Sequence, residues 1–390
     1  MLKQLVLKPR EARRIRRGHL WVFSNEVREM PSDCEPGALV RVLTHNGDFL
    51  GNAIFHPHSL ITARLIGKEV EALDAAFFLE RIESATRFRE AIFAEETCYR
   101  LVHGESDRLP GLIIDRFGDY FVIQTLSAGM DARLSTICDV LEQRFQPQAI
   151  IERNDSGLRS YEELEQRKGV LRGDLQPNVE FVENGLRYSV NLLEGQKTGF
   201  FLDQKLNRLA LRRYVQGASV LDCFSNQGGF ALNAAPAGAA QVIGVDVSGG
   251  AVAHAEAHAR LNSLQNVTFV ESDVFKYLQK QRSDRVTTDV VVVDPPSFAP
   301  RKKDVGAAKR AYRKLNELAI GVLNPGGILV TASCSYHLNE ETFYRLISEA
   351  AQRASRDLQL LEQRQQSPDH PILPAMPETR YLKLGIFRVL

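Results

Sequence analysis

The sequence predicts an α/β protein: a doubly wound, mostly parallel sheet in the C-terminal half, preceded by a small β-rich module and a central α+β domain. Three observations carry this. Beyond about residue 185, strongly apolar runs alternate with helical segments; residues 1 to about 70 alternate short apolar runs with Gly, Pro, Asn and Asp; the stretch between mixes a helical pattern with a hairpin signal. At 390 residues the chain exceeds what one core usually organises, about 150 residues per domain, so three domains are drawn at 1–72, 73–185 and 186–390.

In the first module, apolar runs at 38–43 and 49–54 flank Asn46, Gly47 and Asp48, the mark of strands joined by a tight turn. The only helix candidate there is the basic stretch at 8–17. In the central domain, helical spacing runs from Leu73 to Glu90, strands at 111–116 and 120–125 meet at Gly118 and Asp119, and a helix (132–144) and a strand (149–153) follow. The C-terminal strands are 220–224, 242–246, 267–270, 290–294 and 327–331. Runs this apolar suit strands covered on both faces, and ligands of such sheets bind at the strands' carboxyl ends.

A net charge of +1 excludes a global polyelectrolyte, so a nucleic-acid surface has to come from local clusters such as 8–17, with six bases against one acid. The five cysteines, Cys34, Cys98, Cys138, Cys223 and Cys334, are widely spaced with no zinc-like pattern, so no structural metal is expected. Their odd number, without a secretory leader, points to a reducing cytoplasm rather than a disulfide framework. No apolar run approaches the roughly 18 residues of a membrane span.

After the first C-terminal strand, Asp222, Cys223, Phe224, Ser225, Asn226, Gln227, Gly228, Gly229 and Phe230 open a helix, and the glycines let the backbone turn tightly under a ligand. The run lacks the three spaced glycines of a dinucleotide fingerprint. Asp246 ends the second strand, where a carboxylate can accept the hydroxyls of a ribose, and Asp273 ends the third, placed for an adenine amino group. Any one such Asp is as readily a helix cap. Three together, with the glycine turn, resemble the class I S-adenosylmethionine methyltransferases, in which the first acid and turn hold the methionine end, the second the ribose and the third the adenine.

Asp294, Pro295, Pro296, Ser297 and Phe298 end the fourth strand, where the prolines stop the ladder and fix an extended loop that can grip a flat base. Ser333, Cys334 and Ser335 end the fifth. An isolated Cys is more often a buried small hydrophobe. Carbon 5 of a pyrimidine, however, is not nucleophilic, and methylating it needs a thiolate added at carbon 6; Cys334 is placed to supply it. Cys223, beside the glycine turn, reads as packing.

Together with Arg17–Phe23 and Lys197–Gln204, these motifs make the chain resemble the RlmI-like family, bacterial 23S rRNA cytosine-5 methyltransferases, in order and over its whole length, down to Asp369, His370, Pro371 and the run Glu378–Lys383. The resemblance implies a seven-stranded class I methyltransferase sheet, an N-terminal PUA-like RNA-binding module, and S-adenosylmethionine as cofactor. It implies Cys334 as nucleophile, Asp294 touching the target cytosine, and Lys197–Gln204 closing over the cofactor. The expected cofactor set is then Phe200, Gln204, Asp222, Phe224, Ser225, Asn226, Gly228, Asp246, Ser248, Asp273, Val274 and Asp294. Where related RNA cytosine-5 enzymes often carry a second Cys in the fourth-strand loop, this chain has Ser297, which leaves the acceptor of the carbon-5 proton open; His337 and His370 are candidates, though a lone His is more often structural.

A stacked base cannot reach such a cleft, so the target is unpaired or flipped out. Pro295, Pro296, Ser297 and Phe298 are expected to hold the base. Arg13, Arg17 and Trp21, with the basic run from Arg301, Lys302 and Lys303 to Lys309, Arg310, Arg313 and Lys314, are expected to hold the surrounding RNA, 23S rRNA or a large-subunit particle, unless they are plain solvated helix faces. A membrane partner is not expected, and a homodimer is left open. Two rivals remain: methylation of an exocyclic nitrogen, for which the Asp-Pro-Pro loop suffices without a Cys, and a non-catalytic RNA-binding assembly factor.

Overall fold

The computed structural model describes residues 2–94, 96–195, 198–299 and 301–390, with the backbone only at 302. Lys197, the first residue expected to close over the cofactor, lies outside the described residues. The chain divides into two compact units: Met1–Val182, Ser189–Asp203 and Pro368–Thr379 form one, and Glu183–Tyr188, Gln204–Ser367 and Arg380–Leu390 the other.

The first unit contains a six-stranded and a five-stranded sheet. One has six strands in the order Trp21–Phe23, Ile61–Gly67, Phe49–Phe55, Leu39–Leu43, Lys3–Leu7, Val27–Glu29. Its alternate side chains, among them Leu5, Leu7, Val40, Val42, Ala53, Phe55, Ala63 and Leu65, form one core. The turn at Asn46 and Gly47 forms as expected: Gly47 takes φ +91°, and Thr44 Oγ1 accepts from the amides of Asn46 and Asp48. The basic stretch yields a short helix, Ala12–Arg16, that buries Ala12 and Ile15.

The second sheet has five strands, Arg167–Gly173, Ala149–Asn154, Tyr120–Thr125, Leu112–Phe117 and Cys98–His103, packed by helices Ala75–Ile92 and Leu134–Phe145. The Gly118–Asp119 hairpin pairs Phe117 with Tyr120. Pro368–Thr379 is held in this unit by its own polar groups: Asp369 Oδ2 accepts from the Arg100 amide at 2.9 Å, and the Asp369 carbonyl accepts from the buried Arg89 at 2.8 Å.

The second unit is built on a seven-stranded sheet: β1 (Ser219–Cys223), β2 (Gln241–Asp246), β3 (Val267–Glu271), β4 (Thr288–Val293), β5 (Leu323–Ser333), β6 (Leu358–Gln365) and β7 (Lys383–Val389), in the order β3-β2-β1-β4-β5-β7-β6. Pairing is parallel through β5, while β7 runs antiparallel between β5 and β6. Val290 to Val293 are all buried, both pleat faces being covered, which is the reason the run lacks polar alternation. The helices fall into two groups: α1 (Lys205–Leu211), α2 (Gly229–Ala234) and α3 (Gly249–Leu261) touch in series, as do α4 (Val274–Ser283), α5 (Val305–Gly321) and α6 (Glu340–Arg353). This is the doubly wound arrangement the sequence predicts. The direction of winding reverses between β1 and β4, which opens a crevice at their carboxyl ends. Among the described residues no helix is long and apolar enough to cross a membrane.

Candidate active site

The loop from β1 to α2 is bent by three residues in the left-handed region, Phe224 (φ +62°), Asn226 (φ +47°) and Gly228 (φ +86°). A Cβ on Gly228 would stand 3.0 Å from Phe269 Cζ, so both the turn and the packing below it call for glycine. Phe224 packs on the core, and the Ser225 amide donates to the Val245 carbonyl at 3.0 Å, tying the loop to β2.

Asp222 is buried at the base of this loop, where its Oδ2 accepts from the Ala231 amide of α2 at 2.9 Å. Burial pushes its carboxyl up to about 8; the Ala231 hydrogen bond opposes the rise, and the nearby Asp294 charge adds to it. Among the described residues nothing hydrogen-bonds Asp222 Oδ1 or Ser225 Oγ, both buried. Asp246 lies at the end of β2 and is nearly buried, its oxygens accepting from the amides of Asn226 and Ser248, each at 2.9 Å. Ser248 caps α3 through the Ala251 amide, and Asp273 caps α4 through the Lys276 amide at 2.9 Å. Capping, the alternative role for an acid at a strand end, is thus present at Asp273. Val274 begins α4 and is buried in the core.

At the end of β4, Asp294 Oδ2 accepts from Gln204 Nε2 at 3.0 Å. Pro295 is buried, whereas Pro296 and Ser297 are exposed. The loops after β4 and β5 are joined by hydroxyls: Ser297 Oγ lies 3.1 Å from Ser335 Oγ, which lies 3.0 Å from the Tyr312 hydroxyl, and Ser333 Oγ donates to that hydroxyl at 2.9 Å. Phe298 packs on the Tyr312 ring with centroids 4.8 Å apart. Cys334 stands between the two serines, half-buried, while Cys223 is fully buried, its thiol pushed up by burial as packing requires. Burial raises the Tyr312 phenol to about 12, its serine hydrogen bonds opposing and the charges of Cys334 and Asp294 adding, so both groups lie within electrostatic reach of one hydroxyl.

The structure therefore brings Gln204, Asp222, Asp246, Asp294 and Cys334 to one end of one sheet. Phe200 belongs to the first unit, where it packs edge-on against Phe181 at 5.3 Å. His370 also belongs there, buried, 3.0 Å from Asp369 Oδ1 and with its ring against His103; His337 is exposed beside Tyr336. Arg13 and Arg17 are exposed and line an open cleft with Arg10, Arg16 and His45. Trp21 is half-buried and donates from its indole to Glu105 Oε1 at 2.8 Å. Sequence reasoning missed Tyr312, whose position in α5 carries no motif, and Lys383, whose motif was visible but not its burial.

The fold and the site define a class I methyltransferase carrying a PUA-like module. Residues 163–388 match the family described as S-adenosylmethionine-dependent methyltransferase, and residues 5–68 match the PUA-like domain. The chain belongs to this methyltransferase family, and S-adenosylmethionine is its cofactor. Its relatives include two proteins named Ribosomal RNA large subunit methyltransferase I: one from Cronobacter sakazakii, 40% identical over 98% of each chain, and one from Vibrio cholerae, 42% identical over 95% of each. A solved structure described as a SAM-dependent methyltransferase from Streptococcus mutans shares the fold over 100% of both chains, with a TM-score of 0.85 at 23% identity. The orphaned oxygens of Asp222 and Ser225 fit this cofactor, whose methionine end brings an ammonium and a sulfonium to a site already acidic.

Proposed function

We propose that this protein methylates carbon 5 of a cytosine in large-subunit ribosomal RNA, with Cys334 as nucleophile. The relatives' names support the RNA, and the PUA-like match supports a module that holds it. On this reading residues 1–72 bind RNA, 73–185 form a central domain and 186–390 carry the chemistry. The observation that carries the chemistry is the half-buried Cys334 at the end of β5, next to the β4 loop that holds Asp294.

The Cys334 thiolate adds to carbon 6, and the C5–C6 π pair moves onto carbon 5. S-adenosylmethionine supplies the methyl group that this carbon takes up. Loss of the carbon-5 proton to a base or to water then returns the C–H electron pair to the ring, restores the C5=C6 double bond and expels the thiolate. Asp294, held by Gln204, is set to accept from the cytosine amino group, and the exposed Pro296 offers an extended surface at the same loop.

Methylation of unmodified rRNA by Cys334→Ala, read by nucleoside mass spectrometry beside calorimetry with S-adenosylmethionine, tests the proposal. The expected result is lost 5-methylcytosine with retained cofactor binding. Near-normal turnover would overturn it in favour of an exocyclic nitrogen, and RNA binding without cofactor binding in the wild type would favour an assembly factor.

A further inference from the structure

Lys383 is a lysine in the wrong place for a surface residue. It opens β7, pairs across the sheet with Ser333, and is only 6% exposed. Its ammonium donates to two carbonyls of the loop after β5, those of Ser335 and Leu338, each at 2.8 Å. Those carbonyls flank the turn at Tyr336 and His337, and the first belongs to the residue directly after Cys334, so one side chain fixes the backbone next to the thiol. A buried ammonium is costly unless compensated. Burial lowers Lys383 to about 8, and the negative charges of Cys334 and Glu340 oppose that fall.

We infer that Lys383 is a positioning residue that pins the loop after Cys334 and, by its charge, favours the Cys334 thiolate over the thiol. The inference rests on the reading of Cys334 as nucleophile. Electrostatic coupling is reciprocal: a thiolate that favours the ammonium is favoured by it to the same degree. The other groups around the pair divide by sign. Asp294 at the end of β4 bears with Cys334 on the Tyr312 phenol, Glu340 at the start of α6 bears with Cys334 on Lys383, and Tyr312 of α5 is neutral at pH 7. Glu340 is itself engaged by Arg380 at 3.1 Å and by Gln363, while Arg364 of β6 is held by Glu362 at 2.8 Å. Among the described residues, Lys383 is a cation whose charge bears on Cys334 from within the sheet.

The test is the pH dependence of Cys334 alkylation by iodoacetamide in the full chain, followed at the Cys334 peptide by mass spectrometry so that Cys34 does not interfere. In the wild type the thiol is expected to titrate below the ordinary value of about 8.5. In Lys383→Met the profile should move up by about one pH unit, with alkylation near pH 7 slowed about tenfold, and Lys383→Arg should restore it. A purely structural lysine would leave the midpoint of the Met variant where it is in the wild type, which overturns the inference. If Lys383→Met fails to fold, the wild-type profile alone decides, since a midpoint at or above 8.5 refutes it. Cys334→Ser separates this result from the parent reading: full methyl transfer by that variant removes the nucleophile, whereas a shifted alkylation profile still reports the effect of Lys383.

Discussion

Gln204 Nε2 donates to Asp294 Oδ2 at 3.0 Å, while Gln204 Oε1 accepts from Asn207 Nδ2 at 2.6 Å. The glutamine is buried and held at both ends, so it fixes the orientation of the half-buried carboxylate at the mouth of the site. Gln204→Ala should leave the fold intact and, on the proposed role of Asp294, lower kcat about tenfold or more, because that carboxylate loses its orienting partner. Steady-state kinetics beside a thermal melt would check this.

Asp222 links pH to both stability and cofactor binding. Its folded-state value, about 8, lies above the roughly 3.9 of an unfolded Asp, so between these limits the native chain holds a proton that the unfolded chain releases. Its contribution to stability is full below about pH 4 and is lost as pH rises through about 8. Melts of Asp222→Asn should show a weaker decline from pH 6 to 9 than the wild type. A cationic ligand favours the ionised carboxylate, so cofactor binding should release protons below pH 8, measurable by calorimetry in buffers of different ionisation heat.

Tyr312 holds the loop after β5 through Ser333 and Ser335, and Ser297 ties that loop to the one after β4. Tyr312→Phe keeps the contact with Phe298 and removes the hydroxyl. It should cost about 1–2 kcal/mol in denaturant unfolding, the expense of leaving the buried Ser333 hydroxyl without its acceptor, and reduce kcat while cofactor affinity holds.

Gly228→Ala places a methyl 3.0 Å from Phe269 at a φ of +86°. A loss of about 1–2 kcal/mol in stability is expected from backbone strain alone, with weaker S-adenosylmethionine binding, both read by thermal shift with and without cofactor.

Arg13 and Arg17 are exposed, so Arg13→Ala and Arg17→Ala should fold normally. If they meet RNA phosphates, each change lowers affinity and reduces the slope of log K against log salt by about 0.7–0.9, visible in filter-binding titrations at several salt concentrations. An unchanged slope would make them ordinary solvated residues.

What the sequence determined by itself was the local order: strands of β-branched residues, the left-handed turn at Gly228, the hairpin at Gly118, and acids at successive strand ends. These follow from short-range sterics and from the period of apolar residues, which the chain carries in itself. Tertiary structure alone decided the rest. It set Asp246 to accept two loop amides, aimed Gln204 at Asp294, drew Ser297, Ser335 and Tyr312 into one chain of hydroxyls, and buried Lys383 beneath the Cys334 loop. It also gathered 368–379 with the first unit, through the buried hydrogen bonds of Asp369. Apart from the local Ser248 amide on Asp246, such pairings join residues twenty to hundreds of positions apart, and no local propensity encodes them, since a side chain's partner and its dielectric surroundings exist only once the sheet has closed over its helices.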